Sequence, residues 1–154
     1  MILKDEKQVR ALGLKSELVS PNEVKNLKAL LEKNLEESAR HGFPGIGLAC
    51  PQIGIAKKMA IIRINGINSF HADLVNPIIE EKNNLMTFFG EGCLSFPNLT
   101  GNTQRYQEIK VLNLLGNPKH FSANGLAAVC IQHEIDHLNG IVLPDILNQG
   151  IYGF

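Results

Sequence analysis

A stripe of leucines gives the chain its clearest pattern. Val24, Leu27, Leu31 and Leu35, with Leu30 beside them, recur at three- and four-residue steps, the spacing that puts side chains on one face of an α-helix. Ser20-Pro21-Asn22-Glu23 precedes the stripe, with Ser20 as N-cap, Pro21 at the first helical position and Glu23 closing a capping box. The pattern predicts an N-terminal amphipathic helix that stops near His41-Gly42, with His41 solvated at its end. Residues 1–19 are mixed and predict no element. Residues 42–54, rich in Gly and Pro, read as loop or irregular extended chain.

Residues 59–64 read as a strand, followed by a turn at Asn65-Gly66. Residues 70–81 and 85–89 read as two strands around a turn at Asn83-Asn84, with His71 at a polar strand position. Residues 97–104 read as a turn-rich loop. Residues 106–115 form a further strand that ends at Gly116-Asn117-Pro118, and residues 120–122 continue it briefly. A second long helix is predicted over 124–139, with Gly140 as its stop. Leu126, Ala127, Val129, Cys130 and Ile131 make its first half apolar nearly all round, as a buried helix requires. Residues 141–147 fit one strand or a short turn, and 148–154 are too few for a long C-terminal helix. The order of elements predicts an α+β fold: a central helix among small, mostly antiparallel or mixed β-sheets.

Composition narrows the class. A chain of 154 residues with 44% hydrophobic and 19% charged residues fits one soluble domain, 1–154. Zero formal net charge gives no general attraction to nucleic acid or to an anionic membrane. No apolar run approaches the roughly 18 residues of a spanning helix, and Met1-Ile2-Leu3-Lys4-Asp5-Glu6 lacks the pattern of a signal peptide. Three cysteines, an odd number, suggest no disulfide framework. A reducing, cytoplasmic setting is the consistent expectation.

The chemistry concentrates in Gln132-His133-Glu134-Ile135-Asp136-His137-Leu138-Asn139-Gly140. Residues four apart lie one above the other on a helix, so His133 and His137 can offer two imidazole nitrogens to one metal ion while Glu134 reaches a water at that ion. Catalytic metal sites commonly use three protein ligands and keep one position open. The peptidase form of this motif finds its third ligand downstream, but Leu143 stands where the extended form has a histidine. Asp145 is the one acid after His137, and too little chain follows it to present it on another long helix. The third ligand is therefore expected upstream, and Cys93 in Glu91-Gly92-Cys93-Leu94-Ser95 is the leading candidate, a thiolate beside a glycine that allows close approach. Such a set, with Glu134 as general base and then general acid, hydrolyses amides.

Gly45-Ile46-Gly47-Leu48-Ala49-Cys50-Pro51-Gln52, Glu91-Gly92-Cys93-Leu94-Ser95 and the histidine motif resemble, in order and rough spacing, the three signature motifs of the peptide deformylases. Two departures stand out: Cys50 replaces the family's second alanine, and no long C-terminal helix follows. The resemblance implies removal of the formyl group from N-formylmethionyl nascent polypeptides, with release of formate. It implies one divalent ion on Cys93, His133 and His137, usually iron(II), with zinc, nickel or cobalt as substitutes. It implies oxyanion donors from the Gln52 side chain and the Leu94 backbone N–H. A peptide-binding strip at Gly45 and Gly47 follows, and a methionine pocket from Ile46, Leu94, Val129, Cys130 and His133. Glu91 and Arg105 are expected to pair behind the ligand loop, and Gln132 and Asp136, which flank the ligands, to make hydrogen bonds to the ligands' surroundings or to backbone that fix the imidazoles. Cys50 is expected to pack. The partners implied are the formylated nascent peptide and, transiently, the ribosome, with no membrane or specific nucleic acid. The competing readings are a His-Glu-x-x-His endopeptidase and a non-catalytic binding protein with a structural metal.

Overall fold

A computed structural model of the chain describes residues 1–147; the brief tail of residues 148–154 lies outside the described residues. The chain folds as α1 (Glu6–Leu14), α2 (Val24–Arg40), β1 (Gly47–Ala49), β2 (Met59–Ile64), β3 (Phe70–Val75), β4 (Ile78–Cys93), β5 (Phe96–Leu112), β6 (His120–Asn124), α3 (Gly125–Leu138) and α4 (Leu143–Leu147). Two three-stranded sheets, β1-β2-β3 and β4-β5-β6, are antiparallel throughout, and α3 packs against strands of both. The α+β expectation holds, with no parallel pairing inside either sheet. Among the described residues no helix is long and apolar enough to cross a membrane.

Strand β2 explains how the layers stack. Met59, Ala60, Ile61 and Ile62 are all fully buried, because alternate side chains enter different cores. Met59 and Ile61 meet Leu27, Leu31 and Leu35 of the α2 stripe. Ala60 and Ile62 meet Ile131 and Leu138 of α3. The helix entrance is built as predicted. The Glu23 carboxylate closes the box by accepting from the Ser20 N–H (3.0 Å) and hydroxyl (2.9 Å), and the Glu23 N–H also reaches the Ser20 carbonyl. The motif helix α3 is buried without interruption from Ala128 to Ile135, and the Lys58 ammonium donates to its Leu138 carbonyl at 3.0 Å.

Residues 120–122 do not continue the preceding strand but fold back into β6, antiparallel to β5, after the turn at Gly116-Asn117-Pro118. Four further expectations need correction. Residues 1–19 do hold a helix, α1, capped by the Asp5 carboxylate, which accepts from the Lys7 N–H at 2.9 Å. Its seat on α3 is made by backbone: a Cβ on Gly13 would run into the His137 carbonyl oxygen, a contact that no apolar pattern records. The turn expected at Asn83-Asn84 is absent, and β4 runs straight through it. Asn84 takes φ +61 within the strand, a conformation asparagine tolerates, while the chain breaks instead at Asn76, whose side chain bridges the Val19 N–H and carbonyl. Residues 97–104 belong to β5, because pairing with β4 overrides their turn-forming composition, and Pro97 sits near the strand start where a donor is dispensable. Residues 143–147 are a short helix, α4, tied down by Asp145, which accepts from the Val142 N–H and from Arg10.

Candidate metal centre

Strand β4 ends at Cys93, and Leu94-Ser95 make the two-residue turn into β5, with Cys93 opposite Phe96. That turn faces the middle of α3. The sulfur of Cys93 lies 3.4 Å from His137 Nε2, and the Nε2 atoms of His137 and His133 are 3.1 Å apart. The three donor atoms lie within 4.8 Å of one another. Nitrogen ligands about 2.0–2.1 Å from a tetrahedral zinc stand roughly 3.3 Å apart, so the imidazole separation suits a shared cation. Both histidines are buried, and two ring nitrogens turned toward each other beside a thiol have no better occupant than a positive ion.

What holds His133 in this orientation is Glu91. Its carboxylate receives His133 Nδ1 at 2.6 Å, which fixes the proton on Nδ1 and leaves the Nε2 lone pair for the metal position. Glu91 also accepts from Arg105 Nε (2.9 Å), Arg105 Nη2 (2.5 Å) and the Thr103 hydroxyl (2.6 Å). Burial works against its charge, but Arg105 and His133 outweigh that and hold it well below the usual carboxylate range. The expected Glu91–Arg105 pair is present; its direct grip on the ligand imidazole goes beyond what the motif alone suggests. Gln132 makes the backbone hydrogen bonds expected of it, and Asp136 reaches the imidazoles only through Arg105 and Glu91. Gln132 exchanges hydrogen bonds with the Tyr106 N–H (2.9 Å) and carbonyl (2.7 Å) and ties α3 to β5. Asp136 accepts from Arg105 Nη1 at 2.6 Å.

Glu134 lies on the open side of the same helix turn. Its Oε1 is buried without a hydrogen-bond partner among the described residues, and burial pushes the carboxyl up to about 7. It has room there because residue 47 is glycine: a Cβ would fall 2.5 Å from Glu134 Oε2. Gln52, in the 3₁₀ turn Cys50–Ile53, is fully buried rather than a solvated loop residue. Its Oε1 accepts from the Ala49 N–H at 2.9 Å, and its Nε2 donates to the Ser95 hydroxyl at 3.1 Å and lies 3.5 Å from the Cys93 sulfur.

These groups open into a cavity of about 460 Å³. Gly45, Ile46, Gly47, Gln52, Cys93, Leu94, Val129, Cys130, His133 and Glu134 all line it. Phe43, Phe88, Leu99 and Leu126 line it too, and escape notice in the sequence because each reads as an ordinary apolar residue of a strand, loop or helix. A larger cleft of about 890 Å³ lies at the start of α3, but none of the three ligand residues reaches it. Cys50 is fully buried among Leu48, Met59 and Ile61, and burial pushes its thiol up to about 12; it packs, as expected.

Residues 1–150 match the family model described as polypeptide deformylase. The chain belongs to the peptide deformylase family. It is 42% identical to peptide deformylase 1 of Bacillus subtilis over 127 residues, 81% of this chain and 77% of that protein. The structure is similar to that of a probable peptide deformylase from Synechococcus phage S-SSM7, with TM-score 0.78, 35% identity, and coverage of 95% of this chain and 98% of that one. It is similar also to the Met-Ala-Ser-bound class I type b peptide deformylase of Acinetobacter baumannii, with TM-score 0.76, 29% identity, and coverage of 95% and 96%. The chain spans between 52% and 61% of the length of the Prochlorococcus marinus relatives that it matches. Family members are metal-dependent, and the Cys93, His133 and His137 cluster is the group of ligand side chains found among the described residues of this deformylase-family chain.

Proposed function

We propose that the chain, as one catalytic unit over 1–154, hydrolyses the formyl group from the N-formylmethionyl end of nascent polypeptides and releases formate. The observation that carries this reading is the meeting of three ligand atoms, in a largely apolar cavity, with the Glu134 carboxylate, whose Oε1 has no hydrogen-bond partner among the described residues. When bound on Cys93, His133 and His137, a divalent ion supplies the Lewis acid that acidifies a water and polarises the formyl carbonyl. Iron(II) is the proposed native ion, with zinc, nickel or cobalt able to replace it.

The protein's own groups do the rest. Glu134 takes a proton from the attacking water and returns it to the leaving methionine nitrogen; a carboxyl poised near neutrality suits both transfers. Gln52 Nε2, beside the Cys93 sulfur, and the Leu94 N–H are the donors for the oxyanion. Strand β1 is the edge of its sheet. The Ile46 carbonyl is taken by the Arg63 N–H of β2, so the alternation of an antiparallel strand turns the Gly47 backbone groups to the open edge. There an extended peptide can pair as an added strand. Ile46, Leu94, Val129, Cys130 and His133 then accept the methionine side chain. The Met-Ala-Ser bound by the similar Acinetobacter protein supports a peptide of this kind. Formylated chains emerge from ribosomes, so a transient ribosome encounter in the cytoplasm is part of the proposal, in keeping with three free cysteines.

The test is formate release from formyl-Met-Ala-Ser by protein loaded anaerobically with iron(II), with metal content measured. Release that chelation and Glu134→Ala both abolish is the expected result. A folded, fully metallated protein that releases no formate overturns it.

A further inference from the structure

The first residues of the chain touch every loop that frames the proposed oxyanion donors. The Leu3 N–H donates to the Gln52 carbonyl at 2.7 Å. The Lys4 ammonium donates to the Leu94 carbonyl at 2.6 Å and lies 6.0 Å from the centre of the Phe43 ring, on the lip of the cavity. Ile2 is buried in the core that holds Leu48 and Cys50, with Leu94 packed against it. Asp5 caps α1 immediately afterwards. Residues 2–5 are thus anchored at both ends, and Lys4 projects from a fixed base.

The Leu94 carbonyl needs such a partner. It sits in the two-residue turn between β4 and β5, outside the Cys93–Phe96 pair that closes the ladder. Turn peptide groups have no ladder partner and turn freely unless something holds them. Fixing the carbonyl of Leu94 restrains the torsions of the residue whose N–H is to meet the oxyanion. The Leu94 side chain is restrained as well, since a Cβ on Gly45 would lie 2.6 Å from its Cδ1.

We propose that Lys4 is a positioning residue for oxyanion stabilisation: held against Leu94 and Phe43, it fixes the direction of the Leu94 N–H, while Leu3 braces the Gln52 turn. This rests on the deformylase reading above. Lys4 touches no reacting atom. Its effect belongs in kcat, since a donor that is ordered but not aimed binds the ground state about as well as before.

The experiment compares wild type, Lys4→Met and Lys4→Arg, all metal-loaded, by steady-state kinetics on formyl-Met-Ala-Ser and by the ¹⁵N order parameter of the Leu94 amide. Removing a whole oxyanion donor costs about 10²–10³ in kcat, so losing its alignment alone should cost roughly 10-fold in Lys4→Met, with KM changed less than about 2-fold. The Leu94 order parameter should fall from the rigid range at about 0.85 toward about 0.6. Lys4→Arg, which keeps a cationic donor, should restore both. A Lys4→Met protein with unchanged kcat, or with a Leu94 amide as rigid as in wild type, overturns the proposal. So does a loss that Lys4→Arg fails to mend. If wild type itself releases no formate, the deformylase reading fails, and the Leu94 order parameters still decide whether Lys4 holds the turn.

Discussion

Two buried glutamates flank His133, and they behave in opposite ways. Behind the imidazole, Glu91 is enclosed by Arg105, Thr103 and His133 Nδ1. In front of it, Glu134, on the helix of His133, is buried to a similar degree as Glu91 but leaves Oε1 without a partner among the described residues. Burial opposes the charge of both. At Glu91 the donors win and the carboxylate stays ionised far into acid; at Glu134 burial wins and the carboxyl is pushed up to about 7. One residue type thus gives a fixed anchor and a proton carrier on either side of one imidazole, and the difference lies wholly in what surrounds each carboxylate.

The largest expected effect removes the carrier. Glu134→Gln should lower kcat for formyl-Met-Ala-Ser by about 10²–10⁴, the range for a lost general base and acid. Metal content and melting temperature should stay at or above wild type, since a strained buried charge is gone; equal loss of metal would erase the distinction drawn between the two glutamates. Next comes the anchor. Glu91→Ala removes one of the two carboxylates that pair with the buried Arg105 and leaves it Asp136 alone, so chemical denaturation should show about 3–5 kcal/mol of lost stability. Metal titration should show affinity weakened by about 10–100-fold. An intermediate effect is expected at Gly47→Ala, where the new Cβ meets Glu134 Oε2. Displacing that carboxylate should cost roughly 10-fold in kcat, with near wild-type stability in thermal melts.

The smallest effect is a slope with pH in the metal-free protein. Glu134 has a folded pKa above its unfolded 4.5, so stability is lost as pH rises from there to about 7, by at most about 1.4 kcal/mol per pH unit. Glu91 is depressed below the same 4.5, so its contribution is complete above that pH and is lost as pH falls below it. Denaturation profiles of Glu134→Gln minus wild type should therefore change between pH 4.5 and 7. Those of Glu91→Gln minus wild type should change only in acid. Parallel profiles would break the contrast.

Much of this was legible in the sequence, and the reasons are specific. The four-residue spacing of His133 and His137 fixes their common face before any tertiary contact forms. The leucine stripe of α2 declares its element through periodicity, and β2 through a short apolar run closed by the Asn65-Gly66 turn. Cys93 could be reached by asking where a third ligand remained. The rest depends on contacts between distant segments. Nothing local in residues 97–104 announces a strand, because its hydrogen bonds are supplied by β4. Helix α1 rests on a glycine. Glu91 reaches His133 of α3 from strand β4, and pairing it with Arg105 gives no hint that the imidazole is its second partner. Lys4 and Leu94 lie far apart in the chain and share no motif.

The close seat of Gly13 against the His137 carbonyl has a consequence for the ligand set. A Cβ on Gly13 would also fall 2.6 Å from the Gly140 nitrogen, so α1 meets the end of α3 and the residues just after it backbone to backbone here, with the Leu14 side chain packed against Gly140 alongside. Helix α1 is therefore seated by a stretch more than a hundred residues further along the sequence, and His137 stands in that joint. Any change that parts α1 from α3 therefore reaches the ligand set through the His137 backbone, although α1 supplies no ligand itself.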